Sequence, residues 1–228
     1  MHYSSNMSAI NIVILVNENE APTSRLHCGC IPREDTYTSI RLDDHQLEML
    51  TEPNLFIVNP VFAMDDKSNE ELLIDSINNN PKLQWFTWLM KETIPISTFT
   101  IFINNNGVTN GIMDSHTFDP LCIATVDLVD IDCMRYLYVH TLCCADGYTN
   151  GEVQLMNALK MIAFKFRCEQ IRIDHLDNNY DYSWLISQHF VQYTDEEIIK
   201  YKIEVELEKY SYTYYYDVNK GIVVEEEE

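Results

Sequence analysis

The feature that most constrains this chain is a change of hydrophobic period in its second half. Residues 133–140 alternate with period two, which puts Cys133, Arg135, Leu137 and Val139 on one face of a strand. Met134, Tyr136, Tyr138 and His140 take the other face. A glycine-bearing loop, 141–151, follows. Over 152–167 the period becomes that of a helix, with Val153, Met156, Leu159, Ile162, Ala163 and Phe166 recurring at three and four residues. Residues 171–174 return to a strand, 177–180 read as a turn and 182–190 as a short helix. Such a run predicts helices packed against a sheet.

The first half supplies more of both elements. Residues 37–42 alternate as a strand, and Asp43-Asp44 then stands where a helix N-cap belongs, ahead of Gln46, Leu47, Met49 and Leu50. The apolar run 55–58 is cut off at Pro60. Ser68, Glu70 and Glu71 open a helix carrying Leu72, Leu73 and Ile77, which Asn78-Asn79-Asn80-Pro81 ends. Residues 82–91 predict a second helix, with Trp85, Phe86 and Trp88 as core aromatics. Residues 98–103 and 122–129 are strands, and 198–216 predicts two more. The expected fold is α/β (α+β), a mixed, mostly antiparallel twisted sheet flanked by helices. Residues 1–35 are expected to be an N-terminal extension with one candidate strand, 36–216 the domain, and 217–228 an acidic tail.

Charge and cysteines narrow the function. Lys and Arg number 15 against 36 Asp and Glu, a formal charge of −21. A phosphate backbone needs clustered Lys and Arg, so nucleic acid is excluded as a partner, and an anionic membrane surface is disfavoured. No apolar run approaches the ~18 residues of a spanning helix. The run 10–16 is short and lacks a basic flank, so it reads as a buried strand rather than a secretion signal. Seven cysteines, an odd number, then read as reduced thiols of an intracellular protein, cytoplasmic or nuclear. His27-Cys28-Gly29-Cys30 offers soft ligands, but no second cluster completes a tetrahedral set, so no metal is expected.

Residues 133–190 carry a resemblance. The stretch MRYLYVHTLCCADGYTNGEVQLMNALKMIAFKFRCEQIRIDHLDNN, then YDYSWLISQHF, resembles the GCN5-related N-acetyltransferase family. That family orders an L-x-V-x strand, a Q/R-x-x-G-x-G/A pyrophosphate loop, a long helix, an I-x-L-x-V strand and a helix ending near Gly-Phe. The resemblance implies an acetyltransferase-like fold and acetyl-CoA as the acetyl donor. By position it makes Leu137 and Val139 the strand residues whose backbone meets the pantetheine arm, and Gly147 and Gly151 the glycines of the phosphate loop. Amide N–H groups opening a helix suit phosphate, because the helix dipole adds positive charge there. Nearest the reaction point stand Asp132 and His140 as bases acting through water, with Tyr138 or Tyr136 as acid.

The sequence also departs from that pattern. The loop at 143–151 is longer, lacks an initial Arg or Gln, and carries Asp146 with Glu152 close behind. Each carboxylate repels a phosphate by ~1 kcal/mol or more when partly desolvated. Leu185 stands where the family often has a tyrosine acid, and His189 where it has glycine. The expected activity is transfer of acetyl to an amine, on a cationic substrate or basic protein attracted by the acidic surface. Two other classes fit the same residues: an acetyltransferase-like interaction module without chemistry, and an acidic decoy that occupies a basic partner.

Overall fold

The computed structural model describes residues 11–16, 38–39, 42–51, 56–58, 61–63, 69–79, 81, 94, 97–105, 112–114, 119–131, 134–145, 151–174, 183–192, 194 and 213–221. Four long strands lie side by side and antiparallel: β1 (Asn11–Val16), β5 (Phe99–Asn104), β7 (Pro120–Ile131) and β8 (Met134–Cys144). β8 then pairs in parallel with β9 (Gln170–Asp174). A parallel pair needs a crossover connection, and helix α3 (Gly151–Lys165) provides it. Past β9 come β11 (Thr213–Asp217) and β10 (Val191–Gln192), both antiparallel to their neighbours. β3 (Ile57–Val58) closes the opposite edge beside β1, and β2 (Thr38–Ser39) pairs with the far end of β7. β4 (Val61–Ala63) and β6 (Ile112–Asp114) form a separate parallel pair. The fold is mixed α/β on a mostly antiparallel sheet, as the periodicities predict.

Two segments lie deeper in the fold than their sequence suggests. Strand β1, placed by sequence in the 1–35 extension, pairs along its whole length with β5 and is a member of the main sheet, next to the edge strand β3. Asp217, expected to start the acidic tail, pairs with Gln170 at the end of β11, and helix α5 (Val218–Gly221) follows, with Val218 buried. In both places apolar residues take a polar-flanked segment into the core. The predicted helix at 82–91, the HCGC segment, residues 198–212 and residues 222–228 lie outside the described residues.

Each layer follows from local chemistry. Helix α1 (Asp44–Thr51) opens with a capping box: the Gln46 N–H donates to Asp43 Oδ1 at 2.8 Å, and the Asp43 N–H donates to Gln46 Oε1 at 3.0 Å. Helix α3 buries Leu155, Met156, Ala158, Leu159, Ile162 and Ala163 against one face of the sheet, with Leu50 of α1 in the same cluster. Val153, expected on that buried face, is 39% exposed, because it lies well over a right angle around the helix from that face. Helix α2 (Asn69–Asn79) covers the opposite face, where Leu73 and Ile77 meet Val13, Phe102 and Ile123. Among the described residues no helix is long and apolar enough to cross a membrane.

Helix α3 and helix α4 (Ser183–Ser187) end alike. Arg167 has φ 56° and His189 has φ 66°, both in the left-handed region. In each case the next residue bonds back across six: Cys168 N–H to the Ala163 carbonyl at 2.8 Å, and Phe190 N–H to the Leu185 carbonyl at 3.0 Å. The left-handed residue itself donates to the Phe164 or Ile186 carbonyl, each at 3.0 Å, which completes a Schellman end. This accounts for His189: it occupies the backbone position that glycine serves best. The basic residues of α3 are ties as well as dipole partners. Lys160 Nζ donates to the Gln188 carbonyl at 3.1 Å and lies over the Tyr216 ring, and Lys165 Nζ donates to the Met49 carbonyl.

Candidate active site

The site begins with one extra residue. Thr125 of β7 pairs with Thr141 of β8, but the next residue, Val126, pairs with Val139, so His140 is passed over and bulges. The faces record the same event. On β7 the even residues Cys122, Ala124, Val126 and Leu128 all face the α3 layer, without interruption. On β8 the α3 layer takes Leu137 and Val139, and then Leu142 and Cys144, with two residues between Val139 and Leu142 where an even strand has one. The alternation read from the sequence therefore holds through His140 and breaks at Thr141, which shares the face of His140.

The bulge coincides with the end of the described pairing between β8 and β9. Among the described residues β9 pairs with β8 from Tyr136 to Val139, the last partner being Ile173, while β8 runs on to Cys144 against β7. Beyond the bulge the direction of the backbone groups follows from the ladder. The Ala145 N–H donates to the Leu121 carbonyl at 2.7 Å, so 121–145, 123–143 and 125–141 are the hydrogen-bonded pairs. The intervening residues, Leu142 and Cys144, then point their N–H and C=O away from β7. Residues 145–150 lead from this strand end to Gly151, the buried first residue of α3. Cys143 and Cys144, read from sequence as loop, belong to the strand.

Beneath the bulge, on the face away from α3, runs a buried polar band. Thr100, Thr125 and Thr141 are register partners across β5, β7 and β8, and all are buried. Next to them Asp127 sits at the centre of a second row. Its Oδ2 lies 2.9 Å from His140 Nε2, and neither side chain has any solvent exposure. Its Oδ1 accepts the Thr98 N–H at 2.8 Å and the Thr98 hydroxyl at 3.2 Å. The Thr98 hydroxyl in turn accepts the Leu128 N–H at 3.1 Å. Tyr138 meets the His140 ring edge-on, with centroids 4.9 Å apart. A carboxylate buried mid-strand costs several kcal/mol unless hydrogen bonds offset it, roughly the 3–5 that removing one partner restores as a loss. A neutral imidazole that donates its Nε2–H to Asp127 keeps its basic lone pair on Nδ1.

The expected site residues are distributed as follows. Tyr138 and His140 come together, and Asp127, absent from the sequence reading, joins them. Asp132 and Gly147 lie outside the described residues. Gly151 opens α3, with Glu152 half-buried in its first turn. Leu137 and Val139 lie where β8 is held on both sides, by Leu128 and Ile171 and by Val126 and Ile173. Beyond the bulge, the backbone turned away from β7 is that of Leu142 and Cys144. Leu185 is fully buried in the core, and among the described residues no cluster of three His, Cys, Asp or Glu could hold a metal.

Two signals in the sequence pointed to Asp127. It is the one carboxylate within the apolar alternation of 122–129, and it shares a face with Ile123 and Val129. A charge there has to find a partner across the strand.

No family model matches the chain, and no curated protein matches it. Solved structures do. An acetyltransferase of the GNAT family from Staphylococcus aureus is similar at 13% identity and a TM-score of 0.36, over 80% of this chain and 99% of that one. Arabidopsis thaliana Naa50, solved with a bisubstrate analogue, is similar at 15% identity and a TM-score of 0.35, over 80% and 99%. The Bacillus subtilis N-acetyltransferase YlbP, solved with coenzyme A, is similar at 12% identity and 0.35, over 79% and 95%.

Proposed function

We propose that this chain is a divergent N-acetyltransferase that takes acetyl-CoA as donor and a cationic amine as acceptor. The observation that carries the reading is the strand edge beyond the bulge: β8 gains a residue at His140, its last described pair with β9 is Val139–Ile173, and the main chain of Leu142 and Cys144 turns away from β7. A strand edge of this kind fits the amides of a pantetheine arm, which pair with it as another strand does. The donor supplies an activated thioester carbonyl. Leu142 and Cys144 hold the arm in line, and a main-chain N–H at the bulge stabilises developing negative charge on the carbonyl oxygen. The first turn of α3 receives the phosphates through its N–H groups and dipole, and Glu152 weakens that grip by ~1 kcal/mol.

His140 is assigned the proton of the attacking amine. Asp127 fixes the ring through Nε2, so Nδ1 is the accepting atom, reached through one water because the ring is buried. Thr98 positions Asp127. The formal charge of −21 favours encounter with polyamines, Lys side chains or basic chain termini.

The test pairs binding with turnover. Calorimetric titration of acetyl-CoA should show binding, and a panel of polyamines, Lys peptides and free N-terminal peptides should release free CoA thiol with at least one member. Asp127→Asn should keep the binding and lose turnover by ~10²-fold or more, since the wrong tautomer then faces the proton. Binding without turnover on any amine leaves the fold as an interaction module, and no binding at millimolar acetyl-CoA removes the donor as well.

A further inference from the structure

Cys122 of β7 and Cys144 of β8 are direct register partners. The neighbouring pair, Leu121 and Ala145, is hydrogen-bonded at 2.7 Å, so Cys122 and Cys144 form a non-hydrogen-bonded pair. In such pairs the Cα atoms approach to roughly 4.5 Å and the side chains come closest. A disulfide requires a Cα separation of roughly 4.4–6.8 Å, so the backbone already stands where a bridge needs it. Both side chains turn to the α3 face, and the two thiols share a hydrogen bond. Cys122 is fully buried and Cys144 half-buried. The other described thiols are placed differently: Cys143 is buried on the opposite face across from Ile123, and Cys168 is buried after α3.

We propose that Cys122 and Cys144 are a redox-active thiol pair that closes to a cross-strand disulfide when a hydroperoxide reaches Cys144. The Cys144 sulfur attacks one peroxide oxygen, the O–O bond breaks, and a sulfenic acid forms while the departing oxygen leaves as water with the thiol proton. The Cys122 sulfur then attacks the Cys144 sulfur. An S–S bond forms, the S–O bond breaks, and the Cys122 proton leaves in a second water. With hydrogen peroxide, two thiols lose two electrons in all, and one peroxide becomes two waters. The resolving thiol is in place before oxidation starts, so the sulfenic acid is consumed rather than oxidised further.

The pair is slow by construction. The hydrogen bond with Cys122, burial and the nearby Glu152 carboxylate hold the Cys144 thiol well above its ordinary range, and the thiolate is the nucleophile. Closure therefore speeds up as pH rises. The bridge fastens β7 to β8 at the strand end that leads to α3, and its formation is independent of acetyl transfer.

The experiment treats the full chain with hydrogen peroxide at pH 7 and pH 9, blocks free thiols with iodoacetamide, and maps non-reduced peptides by mass spectrometry. The expected product joins Cys122 to Cys144, is reversed by dithiothreitol, and forms on the order of 100-fold faster at pH 9, since the thiolate fraction rises tenfold per pH unit. Cys122→Ala should leave a dimedone-reactive Cys144 in place of the bridge. The mapping on the unmodified protein stands if that variant fails to fold. Cys144 found as sulfinic acid beside an alkylated Cys122, a bridge from Cys144 to another cysteine, or no reaction of Cys144 at either pH overturns the proposal.

Discussion

Replacing Asp127 by alanine removes the hub of the buried polar band. Asp127 accepts three hydrogen bonds within the described structure, from Thr98 N–H, the Thr98 hydroxyl and His140 Nε2. The alanine leaves the Thr98 amide and the imidazole facing a dry void. Breaking a fully buried pair from one side costs about 3–5 kcal/mol, from a total stability that for a domain is typically 5–15. Asp127→Asn is gentler. Its carboxamide oxygen still accepts from Thr98, while its Nδ2–H has to donate to His140, which forces the imidazole proton onto Nδ1. That variant should lose only about 1–2 kcal/mol, one charge-assisted bond replaced by a neutral one. Urea unfolding followed by circular dichroism reads both. A midpoint for Asp127→Ala that corresponds to a loss under ~1 kcal/mol would refute the claim that Asp127 is the buried hub of this network. A double-mutant cycle with Thr98→Val should show coupling, since the two residues share one set of bonds.

Other consequences follow from the same structure. His189→Gly should stabilise the chain by ~1 kcal/mol, because φ 66° carries a Cβ penalty that glycine lacks, and raise Tm by roughly 2–4 °C in calorimetry. A lower Tm would mean that the α4 end is not a left-handed cap. Stability should also fall in alkali. Burial pushes the Cys168 thiol up to about 12, so the folded state keeps a proton that the unfolded state releases from roughly pH 9 upward. The contribution is therefore fully present below that pH and is lost as pH rises through about 12. Cys143, raised in the same direction by burial, adds to the slope. Cys168→Ala should flatten the decline of the urea midpoint between pH 8 and pH 10, and an unchanged slope would count against the burial of that thiol.

The sequence disclosed those elements whose period is uninterrupted. The helix at 151–165 and the strands around it are legible because their apolar positions recur without a break, and Asp43 with Gln46 marks a helix start by the reciprocal bonds it makes. Strand β1 is legible as a strand but not as a member of the sheet, since its partner β5 lies some eighty residues on, and no local signal spans that distance. The bulge is invisible for a different reason. An extra residue at His140 alters parity without altering composition, so alternation carried forward from Cys133 puts Leu142 and Cys144 on the face of Tyr138, opposite to the one they take. That the proposed arm meets Leu142 and Cys144 rather than Leu137 and Val139 follows from that one residue. Asp127 was within reach, as a carboxylate inside an apolar strand, but its partner is thirteen positions away on the bulge that the pattern concealed.

Amide hydrogen exchange with and without saturating acetyl-CoA tests the central claim most directly. The backbone of Leu142 and Cys144 faces away from β7 beyond the last described β8–β9 pair, and the proposed arm seated there would borrow its N–H groups. The prediction is slower exchange at Leu142 and Cys144 on addition of the donor, with Leu137 and Val139, held in the ladder already, unchanged. Equal exchange at all four in the presence of millimolar acetyl-CoA, or protection confined to Leu137 and Val139, contradicts it.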